Sequence, residues 1–279
     1  MQKLGELLRS HRRRGDAATG TPLWLRSAAL SDVGLVRSNN EDSAYAGQAL
    51  VAVADGIGGH AYGEVASSVA ITTLAALDGE IAGEELVYTL ANAVQAANER
   101  MADRIAEQPE LQGMGTTLTA LLCSTGNRLG VVHIGDSRAY RLRDGVLRQL
   151  TTDHTLVQSL VSAGKISAEE AATHPRRSMI LRALDGRRAA HFDLSVLRAV
   201  PDDRYLVCSD GVSDFLADEE IAERLGRGSP TEVVASLTAS ALEAGSSDNV
   251  TCVVAEAVEG HPESEMSPVS VGAVANWRG

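Results

Sequence analysis

Aromatic residues are scarce in this chain: Phe, Trp and Tyr make up 3% of 279 residues, although 44% are hydrophobic. A sizeable core is possible, but Ala, Val, Leu and Ile must build it. Cysteine is almost as rare, with only Cys123, Cys208 and Cys252. Their number is odd and each lies in an apolar, strand-like run, so they read as reduced core residues rather than disulfide partners or zinc ligands. No apolar run approaches the ~20 residues that a bilayer-spanning helix needs. The stretch from Met1 to Arg14 lacks the apolar segment of a signal peptide. A cytoplasmic protein without a membrane partner is the expectation. Positive charge is also in deficit, with 25 Lys and Arg against 37 Asp and Glu, a net charge of −12. That argues against nucleic acid as the main partner, because phosphate backbones are bound by basic faces. Any phosphate compound would need locally placed cations to be received.

Several motifs are missing as well. There is no Gly-x₄-Gly-Lys-Ser/Thr loop, which argues against nucleoside triphosphate hydrolysis. The Asp-x-Asp-x-Thr of phosphatases that use a covalent Asp is not found. The Cys-x₅-Arg of cysteine-based phosphatases is approached only by Cys123 and Arg128, one residue too close together.

What the chain does hold is five short acidic segments. They read Arg37-Ser38-Asn39-Asn40-Glu41-Asp42, Asp55-Gly56-Ile57-Gly58-Gly59, Gly135-Asp136-Ser137-Arg138, Ser209-Asp210-Gly211 and Ser247-Asp248-Asn249. Asp55, Asp136 and Asp210 come at or just past the end of an apolar run, each beside a glycine. Carboxylates held in turns at strand ends do little for core packing, and several of them converging would repel one another unless a cation intervened. Hard divalent ions such as Mg²⁺ and Mn²⁺ prefer oxygen ligands, so the pattern points to an all-oxygen site assembled from distant parts of the chain.

Around these segments the periodicity mixes strands and helices. Apolar runs predict strands at Leu50–Ala54, Thr117–Cys123, Leu129–Ile134, Ala139–Leu142, Val146–Leu150, Phe192–Leu197, Tyr205–Ser209 and Asn249–Ala257, with Asp144-Gly145 as a hairpin turn. Leu86, Leu90, Val94, Ala97, Met101 and Ile105 recur at steps of three or four within a helix from about Glu84 to Glu107. Another helix is expected from about Glu64 to Leu77. Ser229, Pro230 and Glu232 form an N-cap, first-turn proline and capping-box glutamate for a further helix. Strands joined by tight turns imply antiparallel sheets, with helices gathered in pairs. Residues 1–27 are expected to be a basic extension, 28–257 one domain with a helix-prone insert at 151–190, and 258–279 a disordered tail.

In this order and spacing the five segments resemble the metal-dependent protein serine/threonine phosphatases of the protein phosphatase 2C type, bacterial branch, over about residues 28–257. Gly115-Thr116-Thr117 and the stretch from Asp153 to Pro175 share the resemblance. It implies an α+β fold, a four-layer α-β-β-α sandwich of two antiparallel sheets packed face to face and flanked by helix pairs. It also implies hydrolysis of phosphoserine and phosphothreonine on proteins by a metal-activated hydroxide, with two Mn²⁺ or Mg²⁺ ions and a third, weaker one. Position by position, Asp55 would bridge two ions, the Gly56 carbonyl would ligate one, and Asp210 and Asp248 would complete the second ion's shell. Asp136, with Asp210, would hold the third ion. Glu41 and Asp42 would hold water from an outer shell. Arg37 would grip phosphate oxygens as a bidentate cation, and with Asp55 it is assigned to catalysis.

The implied partners are phosphorylated proteins, among them serine/threonine kinases and their substrates, and a monomer is expected. In many relatives a histidine follows the Asp-Gly pair, where this chain has Ile57; His60 lies three residues further on. Arg138 is expected to form a structural ion pair. The 151–190 insert resembles a flap over the site mouth, carrying His154, Lys165, His174, Arg176, Arg177 and Arg182. Two other readings stay open: a catalytically silent phosphoprotein-binding regulator, and a phosphatase dedicated to an anti-sigma-type switch protein. The intact set Asp55, Asp210 and Asp248 argues against silence.

Overall fold

Successive side chains of a strand face opposite sides of its sheet, so a strand that is apolar at every position must be covered on both faces. The strands at Leu50–Ala54 (β3) and Leu118–Ser124 (β6) are buried at every residue, and Val250–Glu259 (β12) is buried over its first six. The computed structural model, which describes residues 21–57, 62–187, 189–260 and 267–278, shows how this is done. One antiparallel sheet has the order β1-β12-β11-β8-β9, with β1 at Leu23–Asp32, β8 at Arg138–Arg143, β9 at Val146–Gln149 and β11 at Arg204–Cys208. The second has the order β10-β7-β6-β3-β2-β13, with β2 at Ser43–Ala46, β7 at Arg128–Ile134, β10 at Asp193–Arg198 and β13 at Val269–Gly272. A two-stranded ribbon joins β4 (Gly56–Ile57) to β5 (Gly115–Thr116).

The two large sheets pack face to face through Leu25, Val51, Val53, Leu121, Val131, Tyr205, Val207, Val253 and Ala255. The alternate residues of the same strands face outward. Leu50, Ala52, Leu118, Ala120 and Leu122 meet the helix pair α1 (Gly63–Ala75) and α2 (Leu86–Glu107). On the other side Leu206, Cys208, Cys252 and Val254 meet α6 (Asp218–Leu225) and α7 (Pro230–Glu243). The expected α-β-β-α sandwich is therefore what forms. Each fully buried aliphatic side chain contributes roughly 1.5–3 kcal/mol relative to exposure. With few aromatics, the layers rely on many such small contributions. All three cysteines are free and buried.

Local signals hold where they were strong. Leu86, Leu90, Val94, Ala97 and Met101 form the buried stripe of α2. At the start of α7, Ser229 Oγ accepts from the Glu232 amide while the Glu232 carboxylate accepts from the Ser229 amide at 2.8 Å. Asp144 and Gly145 both take positive φ, 51° and 74°, as a two-residue turn between right-twisted strands requires.

Both chain ends depart from expectation. β1 begins at Leu23, inside the stretch assigned to the basic extension, and pairs along its whole length with β12; residues 1–20 lie outside the described residues. The disordered tail expected over 258–279 is corrected for its described part. β12 runs to Glu259, and Val269–Gly272 pairs antiparallel with β2, covering an edge that would otherwise expose unpaired main-chain groups. A short 3₁₀ turn at Ala273–Asn276 follows, and the Arg104 guanidinium sits 5.3 Å from the Trp277 ring centroid. β13 is held by its main-chain ladder while Val269 and Ser270 stay exposed, and composition does not report main-chain pairing.

Candidate metal centre

Antiparallel register decides which loops meet. In the second sheet Val53 is opposite Thr119 and Leu118 is opposite Ile134, so the chain leaves β3 at Asp55 and β7 at Asp136 from one end. Ser43 is opposite Ala54, which brings Asp42, just before β2, to that end too. In the first sheet Cys208 is opposite both Cys252 and Arg138, and Asp32 is opposite Val250. Asp210 after β11, Asp248 before β12 and the loop holding Arg37 after β1 therefore share one rim. Five segments far apart in sequence become neighbours because alternate strand ends lie on the same side.

The side chains behave as one electrostatic group. Burial, then Asp42, Asp210, Asp136 and Asp248, hold the Asp55 carboxyl well above the usual carboxylate range. Asp210, at the first turn of the short helix α5 (Asp210–Ser213), is raised by burial and by Asp136, Asp214 and Asp248. Asp136, 8% exposed, is pushed up to about 7 by burial and by Asp153 and Asp214. Asp42, fully buried, rises to about 6 although Ser209 Oγ donates to it at 2.8 Å. Burial and then Glu64 raise Glu41. Carboxylates buried and crowded in this way are unfavourable as anions until something positive shares them.

The residues fit hard divalent ions. Asp136 Oδ1 is buried without a hydrogen-bond partner among the described residues. All the candidate donors are oxygens, and the Cys208 side chain, two residues before Asp210, packs into the core against the outer helices. Among the described residues no three His, Cys, Asp or Glu side chains are grouped to hold an ion by themselves. An ion here would therefore draw on water and on the Gly56 carbonyl as well as the carboxylates. Gly56 is needed for a second reason: a Cβ there would collide with the main chain of Gly63 at the start of α1 and with the Glu41 carbonyl.

Arg37 stands at the rim, its side chain 51% exposed, and Nη2 donates to Asp248 Oδ2 at 2.7 Å. That bond raises its pKa further. The guanidinium is thus tied to a candidate metal ligand rather than to Glu41 or Asp42, and Asp248 is its bonded partner among the described residues. Arg138 forms the expected structural pair, with Nε and Nη2 on the Asp153 carboxylate at 2.7–3.1 Å. His60, Gly58 and Gly59 lie outside the described residues.

The 151–190 insert holds two short helices, α3 (Leu156–Ser162) and α4 (Ala168–Ala172). Its base is fastened by Leu181 N to His154 O at 2.7 Å and by mutual bonds of Thr116 and Leu184 at 2.9 Å. Two of its basic residues serve that base: His154 is buried and bonded by the Gly135 amide at 3.2 Å, and Arg182 reaches His154 and Asp193. Lys165, Arg176 and Arg177 are exposed.

Four supporting residues carried no role in the sequence. Asp214 adds a further charge beside Asp136 and Asp210. Thr117 Oγ1 accepts from the Asp55 amide at 2.9 Å, while Thr116 Oγ1 and the Thr117 amide donate to the Asp55 carbonyl. Asn249 does most to join the loops. It accepts from the Glu41 amide at 2.8 Å and donates to the Val33 and Asn39 carbonyls at 2.9 Å, lacing the Arg37 loop to the Asp248 loop. Only its place in Ser247-Asp248-Asn249 singles it out in sequence.

A two-sheet sandwich that gathers half-buried and buried carboxylates at one end suits metal-dependent hydrolysis, and comparison with known proteins narrows the class. The family description "Protein phosphatase 2C" matches residues 37–249, and the chain belongs to that family. It is 52% identical over 252 residues to the serine/threonine protein phosphatase PstP of Mycobacterium tuberculosis, covering 90% of this chain and 48% of that one. It is 35% identical over 236 residues to the serine/threonine phosphatase stp of Listeria monocytogenes, covering 81% and 93%. The catalytic domain of PstP in complex with two manganese ions superposes with a TM-score of 0.79 at 52% identity, covering 85% and 100%. The chain spans about half the length of the PstP protein it matches.

Proposed function

We propose that this chain is a Mn²⁺- or Mg²⁺-dependent phosphatase acting on phosphoserine and phosphothreonine in proteins. The elevation of Asp42, Asp55, Asp136 and Asp210 by burial and by neighbouring carboxylates, together with a buried Asp136 oxygen that has no hydrogen-bond partner among the described residues, carries this reading. Family membership and the two manganese ions of the related PstP domain support it. Asp55, the Gly56 carbonyl, Asp210 and Asp248 would hold two ions, and Asp136 with Asp210 a third; Glu41 and Asp42 would orient water around them. Bound divalent ions would supply Lewis acidity to acidify water and polarise the phosphoryl group.

The chain's own residues do the rest. Arg37 grips non-reacting phosphate oxygens with the guanidinium donors that Asp248 leaves open. The buried hydroxyls of Ser209 and Thr117 fix the Asp42 carboxylate and the Asp55 main chain, so little reorganisation accompanies binding. Asn249 holds the phosphate-gripping loop against the Asp248 loop. The exposed cations of the flap, Lys165, Arg176 and Arg177, receive acidic phosphorylated segments at an otherwise acidic surface.

The substrates are phosphorylated proteins, including serine/threonine kinases and their targets, met in the cytoplasm by a monomer. No helix of the described residues is long and apolar enough to cross a membrane. The test is phosphate release from a phosphothreonine peptide and from p-nitrophenyl phosphate, with Mn²⁺ and with EDTA. Release that requires Mn²⁺ is expected. Tight phosphopeptide binding without turnover would favour the silent regulator instead.

A further inference from the structure

Exposed large hydrophobic side chains are few among the described residues, and three of them crowd the loop before Arg37. Val33 is 38% exposed, Leu35 63% and Val36 73%. Scattered single exposures need no explanation, but adjacent ones beside a candidate site do. This loop is braced. Asn249 donates to the Val33 carbonyl at 2.9 Å, the Gly34 amide donates to Asp32 Oδ1 at 2.8 Å, and Gly34 takes φ +80° with no room for a Cβ against the Asp248 carbonyl. The fold therefore holds two aliphatic side chains in water, in fixed register with the guanidinium that follows them, where folding gains nothing from their exposure.

We propose that Leu35 and Val36 are specificity-determining residues: an apolar lip that covers a hydrophobic side chain flanking the phosphorylated residue of a substrate protein. The inference rests on the phosphatase reading above and adds the substrate's sequence preference to it. The occupant is the substrate's own chain, because the lip runs directly into Arg37. A phosphate gripped there brings neighbouring residues of the peptide within a few ångströms, since consecutive Cα atoms are ~3.8 Å apart. Covering about half of each aliphatic side chain corresponds to a preference of roughly tenfold for an apolar over a polar flanking residue.

The experiment compares kcat/KM on two phosphothreonine peptides that differ only in carrying Leu or Ser at the flanking positions, for the wild type and for L35S/V36S, at saturating Mn²⁺. p-Nitrophenyl phosphate, which has no flanking residue, reports in the same samples whether the centre works. The wild type should favour the Leu peptide about tenfold, and the variant should lose that preference. A Leu-to-Ser ratio equal in wild type and variant would overturn the lip. So would a wild-type dimer that L35S/V36S converts to monomer with the ratio unchanged, since the occupant would then be a second copy. Failure of the wild type on p-nitrophenyl phosphate itself would instead indict the phosphatase reading. If the double variant does not fold, L35T alone carries the test through the same ratio.

Discussion

Replacing Asp136 by Asn should stabilise the metal-free protein, and the gain should grow with pH. The Asp136 carboxyl is raised from 3.8 to about 7, chiefly by burial and then by Asp153 and Asp214. A folded-state value above the unfolded one means the folded protein binds the proton more tightly. Below pH ~4 the group is protonated in both states and costs nothing. Between there and about 7 only the unfolded chain loses its proton, so stability falls as pH rises. Above that window the full penalty of ~4 kcal/mol applies. Asn removes the charge but leaves an unpartnered polar group, at about 1–3 kcal/mol. The net gain at pH 8 is then about 1–3 kcal/mol, or some 3–10 °C in Tm for a domain of this size. At pH 4 only the Asn cost is left, so the variant should be no more stable than the wild type. Thermal melts of both proteins in EDTA across this range provide the assay, and excess Mn²⁺ should raise the wild-type Tm more than the variant's. A Tm difference that does not vary with pH would refute the electrostatic description of the site.

Three further outcomes follow from the same geometry. Arg37→Ala should raise KM for a phosphopeptide more than it lowers kcat, because gripping non-reacting oxygens contributes mainly to ground-state binding; steady-state kinetics would show this, with Arg37→Lys recovering only part. Asn249→Ala removes the acceptor for the Glu41 amide and the donor to the Val33 and Asn39 carbonyls. It should cost about 2–4 kcal/mol in urea unfolding, since buried groups lose their partners, and it should lower activity as the Arg37 loop comes away. Activity removed by EDTA should return with Mn²⁺ or Mg²⁺ but not with Zn²⁺ at matched concentration, as an oxygen-only donor set favours hard ions. Recovery by Zn²⁺ alone would contradict that assignment in a simple phosphate-release assay.

Much of this was legible from sequence because the strong signals are short-range. Two-sided apolar runs such as Leu50–Ala54 required covering layers on both faces, and Asp-Gly pairs at their ends marked turns that hold carboxylates. β1 and β13 were not legible for a different reason. β1 opens on a short apolar triplet, Leu23-Trp24-Leu25, that runs into Arg26 and Ser27, and Val269 sits among Ser and Pro. What fixes these strands is pairing with β12 and β2, a long-range main-chain property that no window of side chains contains. The role of Asn249 was hidden likewise: a lone Asn in a turn is ordinary until the fold brings Glu41, Val33 and Asn39 around it. Arg37 was recognised as a cation for phosphate, but its pairing with Asp248 depends on β1 lying beside β12. Gly56 is also required for close packing against Gly63, which sequence spacing cannot show.

In the proposed function Asp55 and Asp210 are the carboxylates that would hold the catalytic ions. Phosphate release from one phosphothreonine peptide at saturating Mn²⁺ should therefore be lost in Asp55→Asn and in Asp210→Asn while circular dichroism and melting show an intact fold. Near wild-type turnover by either folded variant would contradict it.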